Sequence, residues 1–284
     1  MGNISTENKI MWQYIEKSHR DILLNNGLSR FSDFMTFQGG RVLKELSSRM
    51  ILKIELPSGS ETKSFFLKRH KSSLRIGEIG RAFFSGFSLS WGRKEWEVIH
   101  AFQKLGIPTL VPVAAGEKVS WFWQESFLMT EELKGFQPLD KFLQSYFVPP
   151  LPPEKILEKR TIIYEVAQIA RVMHKAGFNH RDFYCCHIFI NRMDSRHRHW
   201  CVLDLQRVDR RRWFRRRWIV KDLAALNYSA QPRIITRTDR LRFLRHYLDV
   251  KIDAAKKEYR MIRQVNNKTD KIMRHDRKLK ARQR

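Results

Sequence analysis

The stretch from Phe178 to Leu205 limits what this chain can fold into more than any other. It reads F-N-H-R-D-F-Y-C-C-H-I-F-I, then a polar interval, then W-C-V-L-D-L. Two acidic residues, Asp182 and Asp204, each sit at the edge of a short apolar segment. Asp204 follows the run Cys201-Val202-Leu203 and so emerges at a strand end, while His187 can face the same cavity as Asp182 from the far end of the loop. Just upstream, Arg160 to Lys175 places Ile162, Ile163, Val166, Ile169, Ala170 and Met173 on one helical face, and Gly177 ends it. A buried helix therefore delivers a loop flanked by short strands.

An aspartate in His180-Arg181-Asp182 can accept or orient the proton of a hydroxyl nucleophile, a step worth on the order of a hundred- to ten-thousandfold in rate. An aspartate at a strand end can hold magnesium on phosphates. Together they have the layout of a kinase catalytic loop followed by a metal-binding strand end. Arg181 reads as the residue that holds the loop. An isolated H-R-D recurs by chance, and the bland alternative is a turn between two core strands. The ordered combination is far more specific: H-R-D-F-Y-C-C-H, then V-L-D-L-Q-R, then R-R-W-I-V-K-D-L-A-A-L. It resembles the lipopolysaccharide core heptose kinase family, whose members look like small protein kinases that phosphorylate a sugar.

The resemblance runs from about Gly39 to Leu248. It implies an α+β, bilobal protein-kinase-like fold with a small antiparallel β-sheet lobe and a larger, mostly helical lobe. It also implies ATP and magnesium (Mg2+), a lipopolysaccharide core glycolipid acceptor, and a peripheral seat on the inner face of the cytoplasmic membrane. On this reading the chain divides into a helical N-terminal extension (1–38), a small nucleotide-binding lobe (39–135), a large catalytic lobe (136–250) and a basic tail (251–284). A kinase for Kdo or another small acceptor is the nearest alternative.

Charge agrees with an anionic partner. The chain carries 55 Lys and Arg against 29 Asp and Glu, a formal net charge of +26, so its surface attracts polyanions. Nucleic acid would fit that field, but no reader motif is present and charge alone confers no specificity. The three cysteines give no even framework and no C-x-x-C spacing, which suits a reducing compartment. No apolar run approaches the roughly 20 residues of a spanning helix, so the chain is expected on the cytoplasmic side.

Lys9 to Leu24 reads as an amphipathic helix. From Arg41 the hydrophobic period changes to two, and Arg41–Leu46, Met50–Leu56 and Lys63–His70 read as an antiparallel meander. In its third strand Phe65 and Leu67 share one face, leaving Phe66 and Lys68 on the other. The residues alone leave Lys68 as either a solvated lysine or a phosphate contact; the resemblance places a nucleotide-binding lysine here. Its partner would be Glu95, with Glu97 as the rival. The first hairpin turn, Leu46-Ser47-Ser48-Arg49, lacks the glycines of a protein-kinase phosphate loop. Between Lys71 and Gly92, Phe83, Phe84, Phe87 and Trp91 alternate with glycines in an insertion that either touches a bilayer interface or folds on itself. Glu131, Glu132 and Leu133 begin a hinge whose backbone would pair with adenine.

His187 stands where a protein kinase has an asparagine for a second magnesium, as either a weak ligand or a hydrogen-bond donor, with a packed core histidine as the alternative. Beyond Asp204, Arg207, Arg211, Arg212 and Arg215 cluster around aromatic residues and are expected to meet the anionic acceptor. Asp222 falls where kinases brace the catalytic loop with a carboxylate at a helix start.

Overall fold

The computed structural model describes residues 10–73, 88, 90–120, 123–192, 198–211, 215–251 and 258–282. The chain forms two compact units, one of residues 1–101 and 110–134, the other of residues 102–109 and 135–284. The aromatic insertion, apart from residues 71–73, 88 and 90–92, lies outside the described residues, as does Arg212.

The first unit is an antiparallel sheet of six strands in the order β1-β5-β6-β4-β3-β2. These are β1 (Ile10–Ile15), β2 (Arg41–Leu46), β3 (Arg49–Ser58), β4 (Glu61–Ser73), β5 (Pro112–Val119) and β6 (Trp123–Glu131). The meander expected from period-two alternation is β2–β4, longer at its ends than the sequence suggests. Leu52, Ile54, Leu56, Phe65 and Leu67 are buried, each such side chain contributing about 1.5–3 kcal/mol. Two short helices, α1 (Arg20–Asn25) and α2 (Phe31–Thr36), cover that face. Phe34 stacks on Phe127 with ring centroids 4.3 Å apart. At the far edge, β2 is exposed at all six positions and slips register against β3 between Val42 and Lys44.

The single helix expected over Lys9–Leu24 is not formed. Ile10–Ile15 instead pairs antiparallel with β5, Ile10 opposite Val119 and Ile15 opposite Ala114. This six-residue run, rich in isoleucine and aromatics, suits a pleated surface better than a helix, and Trp12 and Tyr14 both pack on Trp96. The segment expected as a helical extension is thus part of the first unit.

Trp96 belongs to α3 (Trp91–Lys104). Gly92 permits this helix to start hard against β6: a Cβ there would lie 2.6 Å from the Phe127 carbonyl oxygen.

The second unit is mostly helical. Its central helix, α5 (Pro153–Lys175), follows α4 (Leu139–Tyr146) and begins with proline in its first turn, where the missing N–H costs nothing. All six residues assigned to its apolar face are buried. Short strands β7 (Gln137–Pro138), β8 (Phe178–Asn179), β9 (Ile188–Arg192), β10 (Arg198–Val202) and β11 (Asp209–Arg210) form two small sheets around the loop after α5. Helices α6 (Arg215–Ser229), α7 (Arg237–Leu248) and α8 (Tyr259–Arg282) complete the unit. Thr236 and Asp239 cap α7 reciprocally. The basic tail includes a 24-residue helix, α8, docked on α6 through Asn227–Thr269 (3.0 Å) and Tyr228–Asp276 (2.7 Å).

Candidate active site

Site residues occur in both units. In the first, β4 and α3 bring Lys68 Nζ to 2.6 Å from Glu95 Oε1, with Glu95 fully buried and Lys68 nearly so. Glu97 is engaged elsewhere, by Arg93 at 3.0 Å, so Glu95 is the partner. Glu95 Oε2 is buried without a hydrogen bond among the described residues, leaving acceptor capacity for a second donor. The glutamates at the end of β6 face the sheet: Glu131 meets His19 at 2.7 Å and Glu132 meets Lys53 at 2.6 Å. Their backbone N–H groups donate to Val111 and Ser64 carbonyls.

In the second unit the H-R-D loop is held by one carboxylate. Fully buried Asp222, on α6, accepts the backbone N–H of His180 at 2.7 Å through one oxygen and that of Arg181 at 2.7 Å through the other. Arg181 has φ +72°, a left-handed conformation costing a side-chain-bearing residue about 1–2 kcal/mol, so this clamp fixes a backbone the sequence would not adopt unaided. The Arg181 guanidinium pairs with Asp209 at 3.0 Å and lies over the Trp218 ring. Fully buried His180 ties the two motifs together, its Nε2 lying 2.9 Å from the Leu203 carbonyl. A carbonyl only accepts, so Nε2 carries the proton; burial lowers the ring's pKa and keeps it neutral.

Asp182 and Asp204 then emerge from a rigid base. Asp182 is bracketed by Arg207, whose guanidinium lies 2.7 Å from its carboxylate. Asp204 sits at a left-handed corner, φ +58°, immediately beyond Leu203, with its side chain 40% exposed. His187 Nδ1 meets the Asp182 carbonyl at 2.7 Å, and its Nε2 lies 3.9 Å from Asp204. Its neighbour Cys186 does most to raise the ring's pKa, to about 9, with the Asp182 carbonyl assisting against burial. Among the described residues no group of three or more His, Cys, Asp or Glu side chains is arranged to hold a metal. Magnesium does not need one, since it commonly takes one or two carboxylates plus substrate phosphates and water. The exposed Asp204 carboxylate fits that requirement; His187, a nitrogen donor, fits it less well.

Of the expected acceptor arginines, the three within the described residues have internal partners. Arg207 holds Asp182, Arg211 pairs with Asp209 at 2.9 Å and covers Trp218, and Arg215 donates to the carbonyls of His174 and Lys175 at the end of α5. Two residues of this network escaped the sequence reading. Buried Asp209 carries both Arg181 and Arg211, and His174 supports Asp222 at 3.3 Å. The signal for Asp209 is an acid among arginines directly after an apolar residue, Val208.

A clamped H-R-D loop, a strand-end aspartate and a sheet with a buried Lys–Glu pair define a kinase-like phosphotransferase. The sequence family described as "Lipopolysaccharide kinase (Kdo/WaaP) family" matches residues 37–247, and the chain belongs to that family. It is 35% identical over 227 residues to the lipopolysaccharide core heptose(I) kinase WaaP of Pseudomonas aeruginosa, covering 78% of this chain and 81% of that protein. It is 32% identical over 251 residues to an Escherichia coli protein of the same name, covering 87% and 92%. A solved structure titled "WaaP in complex with acyl carrier protein" superposes with a TM-score of 0.70 at 31% identity, covering 92% of this chain and 98% of that one. The kinase-like α+β fold and the family read from the 178–226 motifs therefore stand. Among the described residues, no helix is long and apolar enough to cross a membrane.

Proposed function

We propose that this protein transfers the γ-phosphoryl group of ATP to a hydroxyl of a heptose in the lipopolysaccharide core. The observation that carries the reading is the Asp222 clamp, which presents Asp182 from a fixed loop as a hydroxyl-orienting group requires. Asp182 accepts a hydrogen bond from the acceptor hydroxyl and takes its proton as the oxygen attacks phosphorus. Arg207 aims that carboxylate. Lys68, held in its rotamer by Glu95, contacts the donor phosphates. Asp204, with His187 beside it, would hold magnesium, which supplies charge compensation for the transferring group. With the N–H groups of Glu131 and Glu132 already bonded, the Leu133 N–H is the first of the expected hinge positions free to donate to adenine.

The net charge of +26 suits an anionic inner leaflet, where each basic residue near the surface adds about 1 kcal/mol. The enzyme would act there peripherally, from the cytoplasmic side. An acyl carrier protein, named as partner of the similar WaaP, is a candidate partner here too. The test is ATP turnover on purified heptose-containing core glycolipid with magnesium, following phosphate on the acceptor. Phosphate appears on heptose with the wild type and falls by about a hundred- to ten-thousandfold in Asp182→Ala. Absence of transfer by folded, ATP-binding protein refutes the heptose assignment.

A further inference from the structure

Beside the catalytic loop lies a cavity of 610 Å³ that none of the roles above uses. Arg181 forms one wall, Arg216, Arg217, Trp218 and Lys221 of α6 a second, and Gln264, Asn267, Lys268 and Lys271 of α8 a third. Positions 264, 267, 268 and 271 follow the i, i+3, i+4, i+7 rule, so α8 presents one continuous polar stripe to the space. Six cationic side chains thus converge on a concave surface, and among the described residues no carboxylate lines it.

The walls are built, not loosely arrayed. Arg216 Nε donates to Gln264 across the two helices at 3.0 Å, and the Trp218 ring is covered by Arg181, Arg211, Arg217 and Lys221. Among the described residues, Arg217, Lys221, Lys268 and Lys271 have no ion-pair partner, and buried Arg181 Nε makes no hydrogen bond. Lys221 is half-buried; burial lowers its pKa most, and the charges of Arg207 and Arg181 add to this against the opposing pull of Asp182 and Asp222. Converging cations repel one another unless an anion offsets them. Guanidinium and ammonium groups around a space of this size suit clustered phosphates, arginine bidentately and lysine as a point charge.

We infer that this cavity binds phosphate groups carried by the acceptor glycolipid away from the hydroxyl being phosphorylated, and that it thereby registers the acceptor against Asp182, one residue beyond Arg181. The inference rests on the glycolipid kinase reading above. It gives α8 a specific role, where its sequence alone suggests only general attraction to polyanions. Arg207, Arg211 and Arg215 are engaged internally, and the anion contacts fall to Arg181, α6 and α8.

The test compares the full-length Lys268→Gln/Lys271→Gln pair with a control pair of equal charge change, Arg263→Gln/Arg277→Gln, exposed on another flank of α8. The cavity pair raises KM for the glycolipid about tenfold, with kcat at saturation and KM for ATP within about twofold of wild type, while the control pair moves glycolipid KM less than about twofold. Phosphatase-treated glycolipid gives the wild type the KM of the cavity pair. Equal KM shifts in the two pairs would show a diffuse field and overturn the inference. Calorimetric titration with inorganic pyrophosphate supplies a readout independent of turnover, in which the cavity pair alone binds more weakly. If the wild type transfers no phosphate to heptose, the kinase reading fails while the pyrophosphate difference still decides whether the cavity binds phosphate. A pyrophosphate difference without sensitivity to glycolipid phosphates would identify a site for free anions and overturn the acceptor assignment.

Discussion

Replacing Asp222 by Asn tests the clamp at the centre of the site. The carboxylate is fully buried and accepts two backbone N–H groups at 2.7 Å, one on each oxygen. Asn keeps one acceptor and turns an NH2 toward the other N–H, donor against donor. A buried donor left unsatisfied costs about 1–3 kcal/mol, and the surviving bond loses its ionic character, which roughly halves its strength. The expected destabilisation is therefore about 2–4 kcal/mol. Freed from one bond, the left-handed Arg181 can relax and carry Asp182 with it. A misplacement near 1 Å lowers kcat by roughly a hundredfold. ATP affinity, to which Lys68 in the other unit contributes, falls less than kcat. Urea unfolding followed by tryptophan fluorescence gives the stability term, and steady-state transfer to glycolipid gives kcat. A variant within about 0.5 kcal/mol of wild type, outside the range expected for such a loss, with kcat intact, would refute the view that Asp222 holds the loop.

Two further outcomes follow from the first unit. Gly92→Ala brings a Cβ to 2.6 Å from the Phe127 backbone oxygen, so α3 must shift; ATP affinity falls several-fold because Glu95 moves off Lys68, and equal nucleotide titrations for variant and wild type would contradict this. His70 is held neutral: burial, then the charges of Arg49 and Lys68, push its pKa down to about 3. The unfolded value is near 6.5, so between these values the unfolded chain binds more protons, and this stability is complete above about pH 6.5 and declines as pH falls. At pH 5 the loss is roughly 2 kcal/mol. His70→Gln should lack it, and identical stability losses from pH 7 to pH 5 in the two proteins would rule it out.

The sequence was most informative where local pattern and chemistry coincide. Alternation across Met50–Leu56 and Lys63–His70 located β3 and β4, and placed Lys68 opposite the face that buries Phe65 and Leu67. Asp222 was legible as a brace from its place in the K-D-L string, and its bonds to the His180 and Arg181 N–H groups agree with that reading. Ile10–Ile15 was not, since a short apolar run suits helix and strand alike until an open edge such as β5 is available. Nor could sequence reveal that Arg207 and Arg211 are committed to Asp182 and Asp209, or that α8 would pack on α6. Those pairings join residues that only the tertiary fold brings together.

Strand β2 has a consequence for behaviour in concentrated solution. A straight outer strand with apolar side chains offers its free backbone groups to any similar strand that diffuses past, the first step toward ordered stacking of chains. Val42, Leu43 and Leu46 are exposed there, so the hazard is present in composition. The one-residue slip between Val42 and Lys44 puts the outer ladder out of step, and Arg41, Lys44 and Glu45 set charges along it. An approaching strand can match only part of that rim before meeting either an offset or an ion, so the sheet resists recruiting copies of itself.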